Sequence, residues 1–189
     1  MEKVSVECGN IDGLLIFTPK IFEDQRGCFS ESYNRDSFER LGFSQEFLQD
    51  NVSHSNKNVI RGLHYQWDGP MGKLIQAVKG SLLDVVVDIR HGSPTFGQHA
   101  SILLSEKNGK LFWVPPGFAH GFLALEHGTV AHYKCTAVHN DKAESGINPY
   151  DETLGIDWGI ATNRAILSEK DLKAQSIEKY KTSPKFLYS

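Results

Sequence analysis

Apolar residues recur at every second position through much of the chain, the period of a strand whose side chains alternate between two faces. Leu14-Leu15-Ile16-Phe17-Thr18 runs into Pro19 and reads as a strand. Further strands are predicted over Phe47 to Ser53, Val59 to Tyr65, Lys73 to Val78 and Leu82 to Ile89. The same pattern continues over Ala100 to Leu104, Leu111 to Val114, Ala119 to Leu125 and Thr129 to Val138. Turn signals separate these runs: Gly69-Pro70-Met71-Gly72, Gly80-Ser81, His91-Gly92-Ser93-Pro94 and Asn108-Gly109. Many short strands at this spacing predict an all-β sandwich or barrel.

Helical patterning is scarce. Asn34 can cap a short helix through Asp36 to Arg40, stopped by Gly42. Ser168 can cap a turn through Glu169 to Leu172, whose early acids suit the helix dipole. No repeat, low-complexity segment or linker divides the chain, so residues 1–189 are expected to form one domain, with residues from about 173 peripheral.

Composition narrows the function. With 40% apolar and 23% charged residues, the chain can bury a core without disulfide or metal staples. A net charge of −3 lacks the basic surplus of a general nucleic-acid binder, so any phosphate must be met by a few placed Arg and Lys. The apolar run Leu82 to Ile89 is broken by Asp84 and Asp88, and no membrane span is predicted. Met1-Glu2-Lys3-Val4 carries no apolar leader, and Cys8, Cys28 and Cys135 are scattered. Both features point to free thiols in a reducing cytoplasm.

Several stretches carry candidate chemistry. Pro115-Pro116-Gly117 sets a rigid turn before a strand in which Phe118, His120, Phe122 and Ala124 share a face; a histidine merely satisfied in an apolar wall is the competing reading. Asp24 to Tyr33 supplies Arg26 and Glu31, either at a pocket rim or on a solvated hairpin. Gln49 and Asn51 offer amides suited to a sugar or nucleobase, and Arg61 a fork for phosphate. Strict alternation puts Arg61 and His64 on opposite faces, and a bulge at Gly62 would bring them together. By parity Tyr133 and His139 lie on one face.

The spacing of Gly109, Pro115, Gly117 and His120 resembles the second sequence motif of the cupin β-barrels. In Arg61-Gly62-Leu63-His64-Tyr65-Gln66, Gln66 stands where metal-binding cupins carry a second histidine, so a metal is not expected. The blocks Asp24-Gln25-Arg26-Gly27, Gln49-Asp50-Asn51, Val59 to His64, Gly72-Lys73-Leu74, Asp84 to Arg90, Ser93 to Gly97, Pro116 to Phe122, Tyr133-Lys134 and Leu154 to Trp158 together resemble the dTDP-4-dehydrorhamnose 3,5-epimerases. That likeness runs from about Ile11 to Asp171.

The resemblance implies an antiparallel cupin jelly roll with short peripheral helices, a homodimer, and no metal or cofactor. It implies His64 as catalytic base, Asp171 as its carboxylate partner, Tyr133 as proton donor and Lys73 near the substrate's keto oxygen. Arg26, Glu31, Gln49, Asn51, Arg61, His120, Glu144 and Lys170 match positions that hold the nucleotide and sugar, and His139 takes the place of an aromatic residue stacked on the thymine. The implied substrate is a dTDP-linked 4-keto-6-deoxyhexose, epimerised at C3 and C5 for deoxysugar and surface-polysaccharide supply. The competing readings are a C3-only epimerase, a sugar-nucleotide-binding cupin without turnover, and a metal-dependent cupin.

Overall fold

The structure, a computed structural model, describes residues 3–188; Met1 and Glu2, read above for a leader, lie outside the described residues, as does Ser189. In chain order the elements begin β1 (Val4–Cys8), β2 (Leu15–Pro19), β3 (Ile21–Asp24), β4 (Gly27–Ser30), α1 (Arg35–Arg40), β5 (Gln49–Ser55) and β6 (Ile60–Gln66). The middle of the chain supplies β7 (Lys73–Lys79), β8 (Ser81–Asp88), β9 (Arg90–His91), β10 (His99–Ser105), β11 (Leu111–Val114), β12 (Phe118–Ala124) and β13 (Thr129–Cys135). The last elements are β14 (Glu144–Gly146), α2 (Glu169–Leu172), α3 (Ile177–Lys181) and β15 (Phe186–Leu187).

Two antiparallel sheets dominate: a six-stranded sheet in the order β1-β2-β11-β7-β13-β5 and a five-stranded sheet in the order β10-β8-β12-β6-β14. They face each other as the walls of a jelly roll, in agreement with the all-β expectation. Alternation explains why. Leu82 and Val86 of β8 and Phe118 and Phe122 of β12 point inward, against Ile75, Ala77, Phe112 and Ala131 of the other sheet. Val85, Val87, Ala119 and Leu123 point outward. The six-stranded sheet buries its outer face, including Phe17, Leu74 and Trp113, under Phe38 of α1 and Phe43.

The outer face of the five-stranded sheet corrects one expectation. The chain beyond residue 173 is not peripheral: Ile177 and Tyr180 are buried in the same cluster as Tyr65, Val87 and Ile147. The two residues stand three apart on α3 and so share a helix face. The Tyr180 hydroxyl accepts hydrogen bonds from the backbone N–H groups of Lys185 and Phe186, at 3.0 and 3.2 Å. A single short helical turn leaves too little period for the sequence pattern to announce it.

The inward face of the sandwich is apolar at one end and polar at the other. Toward the second end the inward positions carry Gln49, Asn51 and Ser53 on β5, Arg61 and His64 on β6, Lys73 on β7, and Tyr133 on β13. That end is hollow.

Candidate active site

His64 reaches the hollow through a β-bulge. Between β12 and β6 the register passes from His120 opposite His64 to Phe122 opposite Arg61, so three steps on β6 face two on β12. The extra residue is Gly62, at φ 116°, where an added Cβ would lie 2.5 Å from the Gly121 Cα. Only glycine fits so close an approach. Leu63 and Ile60 therefore both pack outward, while Arg61 and His64 line one cavity of about 350 Å³.

His64 Nε2 lies 2.6 Å from Asp171 Oδ1. Asp171 sits on α2, whose Ser168 cap accepts the Asp171 N–H at 3.1 Å, and its side chain is only 5% exposed. Burial raises the Asp171 pKa. The hydrogen bond and charge of His64, the Ser168 hydroxyl and the Gly62 N–H outweigh that and hold it below the usual carboxylate value. An ionised carboxylate accepts Nε2–H, which leaves the lone pair of the neutral ring on Nδ1.

The opposite wall belongs to the other sheet. Tyr133 on β13 and Lys73 on β7 line the same cavity as His64. Burial pushes the Tyr133 phenol pKa up, and Cys135 adds to this; Arg61 and a hydrogen bond with Asn51 pull the other way. Tyr133 is therefore a protonated phenol at neutral pH. Burial lowers the Lys73 pKa, against the pull of Cys135, Glu144 and Asp84.

His120 forms a second imidazole–carboxylate pair deeper in the wall. Its Nε2 lies 3.0 Å from each Asp84 oxygen, and neither side chain is more than 6% exposed. Burial raises the Asp84 pKa, opposed by His120 and Lys73. His120 and His64 are thus each tied to an aspartate. Among the described residues no three His, Cys, Asp or Glu side chains converge as a metal site requires.

Toward solvent the cavity opens into a second hollow that shares His64, Lys73 and Tyr133 and adds Gln49, Asn51, Gln66, His139 and Glu144. Gln49 Nε2 donates to Asn51 Oδ1 at 2.9 Å. Lys170 is paired with Glu144. Burial raises the Glu144 pKa, but Lys170, His64 and His139 together bring it below the ordinary value. Arg61 donates to Ser55 Oγ and the His54 carbonyl, both at 3.1 Å. Tyr133 and His139 do face the same space, although β13 ends at Cys135 and the parity argument does not extend to 139.

Two expected residues stand apart from this cavity. Arg26 caps the exposed β3–β4 hairpin, paired with Asp24, and lines a separate hollow with Phe22 and Phe29. Glu31 is paired with Lys3 at 3.2 Å, near α1. Within one chain neither reaches His64, because their hairpin hangs outside the sandwich. Sequence reasoning also passed over participants. Asp84 stands in the sequence reading as a break in an apolar run and as part of a block of family resemblance, with no role of its own, though an acid on the inward parity of a buried strand is itself a signal. Ser53 lines the cavity with its hydroxyl buried and unpartnered, and nothing local marks it.

A sequence profile described as dTDP-4-dehydrorhamnose 3,5-epimerase matches residues 9–179. The chain belongs to this family. A dTDP-4-dehydrorhamnose 3,5-epimerase from Methanothermobacter thermautotrophicus is 42% identical over 86% of this chain and 88% of its own length. The crystal structure of RmlC, the dTDP-6-deoxy-D-glucose-3,5-epimerase from Legionella pneumophila, in complex with dTDP-4-keto-L-rhamnose, superposes with a TM-score of 0.93. It is 41% identical and covers 98% of this chain and 99% of its own. A more distant structure, ChmJ, a 3'-monoepimerase from Streptomyces bikiniensis, gives a TM-score of 0.87 at 29% identity, covering 95% of this chain and 91% of that one. The chain is accordingly an isomerase of the sugar-epimerase kind. No helix among the described residues is long and apolar enough to cross a membrane.

Proposed function

We propose that the cavity binds a dTDP-linked 4-keto-6-deoxyhexose and inverts it at C3 and C5, giving dTDP-4-keto-L-rhamnose for deoxysugar supply. The carrying observation is the placement of His64–Asp171 on one wall and Tyr133 with Lys73 on the other, around one cavity. The C4 ketone acidifies the neighbouring C–H bonds. His64 Nδ1 takes the C3 or C5 proton, and the C–H electron pair moves into an enolate whose oxygen carries the charge. The Lys73 ammonium stabilises that oxygen, and Asp171 stabilises the imidazolium. Tyr133 then delivers its proton to the opposite ring face, restoring the ketone, and the phenolate is reprotonated from solvent. An acid and a base on facing walls are what inversion requires; a binder without turnover needs neither.

His120, Gln49, Asn51, Arg61, Glu144 and Lys170 are read as holding the sugar and diphosphate, and His139 as the wall for the base. Arg26 and Glu31 join them only if a second copy presents its hairpin. The 69% exposure of Phe29 beside Arg26 supports such a homodimer, and sedimentation equilibrium tests it. The free thiols of Cys8, Cys28 and Cys135 fit a cytoplasmic, single-domain protein.

Proton NMR of dTDP-4-keto-6-deoxyglucose incubated with the protein in D₂O tests the reaction. Deuterium at both C3 and C5 of an inverted product is expected. Label at C3 alone would favour the C3-only reading, which the likeness to the 3'-monoepimerase keeps in view.

A further inference from the structure

Gln66 lines the outer hollow, yet its amide is turned inward on the protein. It is 4% exposed at the end of β6. Its Nε2 donates to the Gly69 carbonyl at 2.7 Å and to the Val138 carbonyl at 3.1 Å. Its Oε1 accepts the Asn140 N–H at 2.8 Å. Both donors are used, so little is left for a ligand. Gln49 accepts the intervening N–H, that of His139, at 2.8 Å from the opposite sheet. The backbone of three consecutive residues, Val138 to Asn140, is thereby held by amides from both walls of the sandwich. The His139 side chain is left facing the hollow.

We propose that Gln66 is a positioning residue for nucleotide recognition, acting through the loop that carries His139 and making no contact with the nucleotide itself. This rests on the reading of the outer hollow as the nucleotide seat. A loop of this kind, free of sheet hydrogen bonds, would otherwise sample many conformations, and ordering it would have to come out of the binding energy. The buried amide does that ordering beforehand. It also explains why glutamine stands at a position where some β-barrels of this type carry a metal ligand: its two donors and its acceptor match two carbonyls and one N–H, which an imidazole cannot do at once.

The test uses the full-length chain, with dTDP as the probe in isothermal titration and the dTDP-4-keto sugar in steady-state kinetics. Gln66→Met keeps the volume and removes all three hydrogen bonds; Gln66→Glu keeps the acceptor for Asn140 and sets a carboxylate against two carbonyls. Both are expected to raise the dTDP Kd and the substrate KM by about tenfold or more, as lost hydrogen bonds of this kind do. Turnover at saturation, read as deuterium incorporation, should stay within about twofold, since the His64 centre is not touched. His139→Ala supplies the cycle: if Gln66 acts through His139, the double variant binds dTDP no more weakly than His139→Ala alone. Amide exchange of Asn140 should speed up in Gln66→Met, which removes its acceptor, and less in Gln66→Glu, which keeps it; if one variant folds poorly, the other still carries the test. Unchanged KM and Kd, or fully additive losses in the cycle, overturn the proposal while leaving the pocket reading intact. Failure of the unaltered chain to bind dTDP overturns the pocket reading and this proposal with it.

Discussion

Replacing Asp171 with Asn removes one charge and almost no volume from the centre of the site. The carboxylate now accepts Nε2–H of His64 at 2.6 Å and is also reached by the Gly62 N–H and Ser168. An asparagine would give its single oxygen to those backbone and hydroxyl donors and turn its NH₂ toward Nε2. The ring must then carry its proton on Nδ1, and the basic lone pair is lost from the side facing the sugar. Charge loss adds to this. An imidazolium and a carboxylate with centres about 4 Å apart attract by about 4 kcal/mol at an effective dielectric constant of about 20. That attraction is absent while the ring is neutral, so it acts on the barrier and not on substrate binding. At about 1.36 kcal/mol per factor of ten, its removal alone slows abstraction by about a thousandfold. A loss of about 10⁴ is seen when the aspartate of a Ser-His-Asp triad is changed in the same way. The assay is the rate of deuterium entry at C3 and C5 followed by NMR, with the thermal midpoint as a control for folding. Asp171→Asn that folds and retains activity within tenfold of the unaltered chain would refute the assignment of His64 as a carboxylate-supported base.

Tyr133→Phe should leave deuterium exchange into recovered substrate, because His64 can return a proton to the face it came from. Inverted product should fall by about a hundredfold or more on NMR. The pH dependence of stability has a structural marker at Asp88, remote from the proposed chemistry. Burial raises its pKa, but Arg90, Ser93 and Thr95 bring it below its ordinary 3.8. A carboxyl lowered in the folded state stabilises the fold above its unfolded pKa and loses that contribution as pH falls through the folded value. Asp88→Asn should therefore lower the urea midpoint at neutral pH and flatten its decline below about pH 4. Tyr180→Ala should cost about 3–5 kcal/mol in urea unfolding, as for an aromatic removed from a core. A loss under about 1 kcal/mol would show that the segment is peripheral after all.

The strands were legible because alternation is a local property. Each inward run needs only its own neighbours in sequence to declare its faces, and Leu111 to Val114 was placed to the residue. Boundaries slipped where a tertiary contact ends the strand. The run from Thr129 stops at Cys135, not Val138: Thr136 still meets Gly72, and beyond it the backbone of Val138 to Asn140 is held by the side-chain amides of Gln66 and Gln49 in place of a neighbouring strand. The caps of Asn34 and Ser168 were also local, and both side chains accept the expected N–H. Gly62 was a borderline case. The sequence offered either alternation or a bulge, and the close approach of Gly121 decided for the bulge.

Which residue types could act was thus set by the sequence: two histidines in barrel-motif positions, a strand tyrosine, a lysine and a capped aspartate. Their meeting was not. His64 and Asp171 are 107 residues apart, and no periodicity relates them. Tyr133 comes to face His64 because two sheets stack, each presenting its polar positions at the same end. The inward turn of Gln66 and the burial of Tyr180 likewise depend on loops and a helix arriving from elsewhere in the chain. A strand's period fixes which face a side chain takes; what stands opposite that face is fixed only when the whole chain has packed.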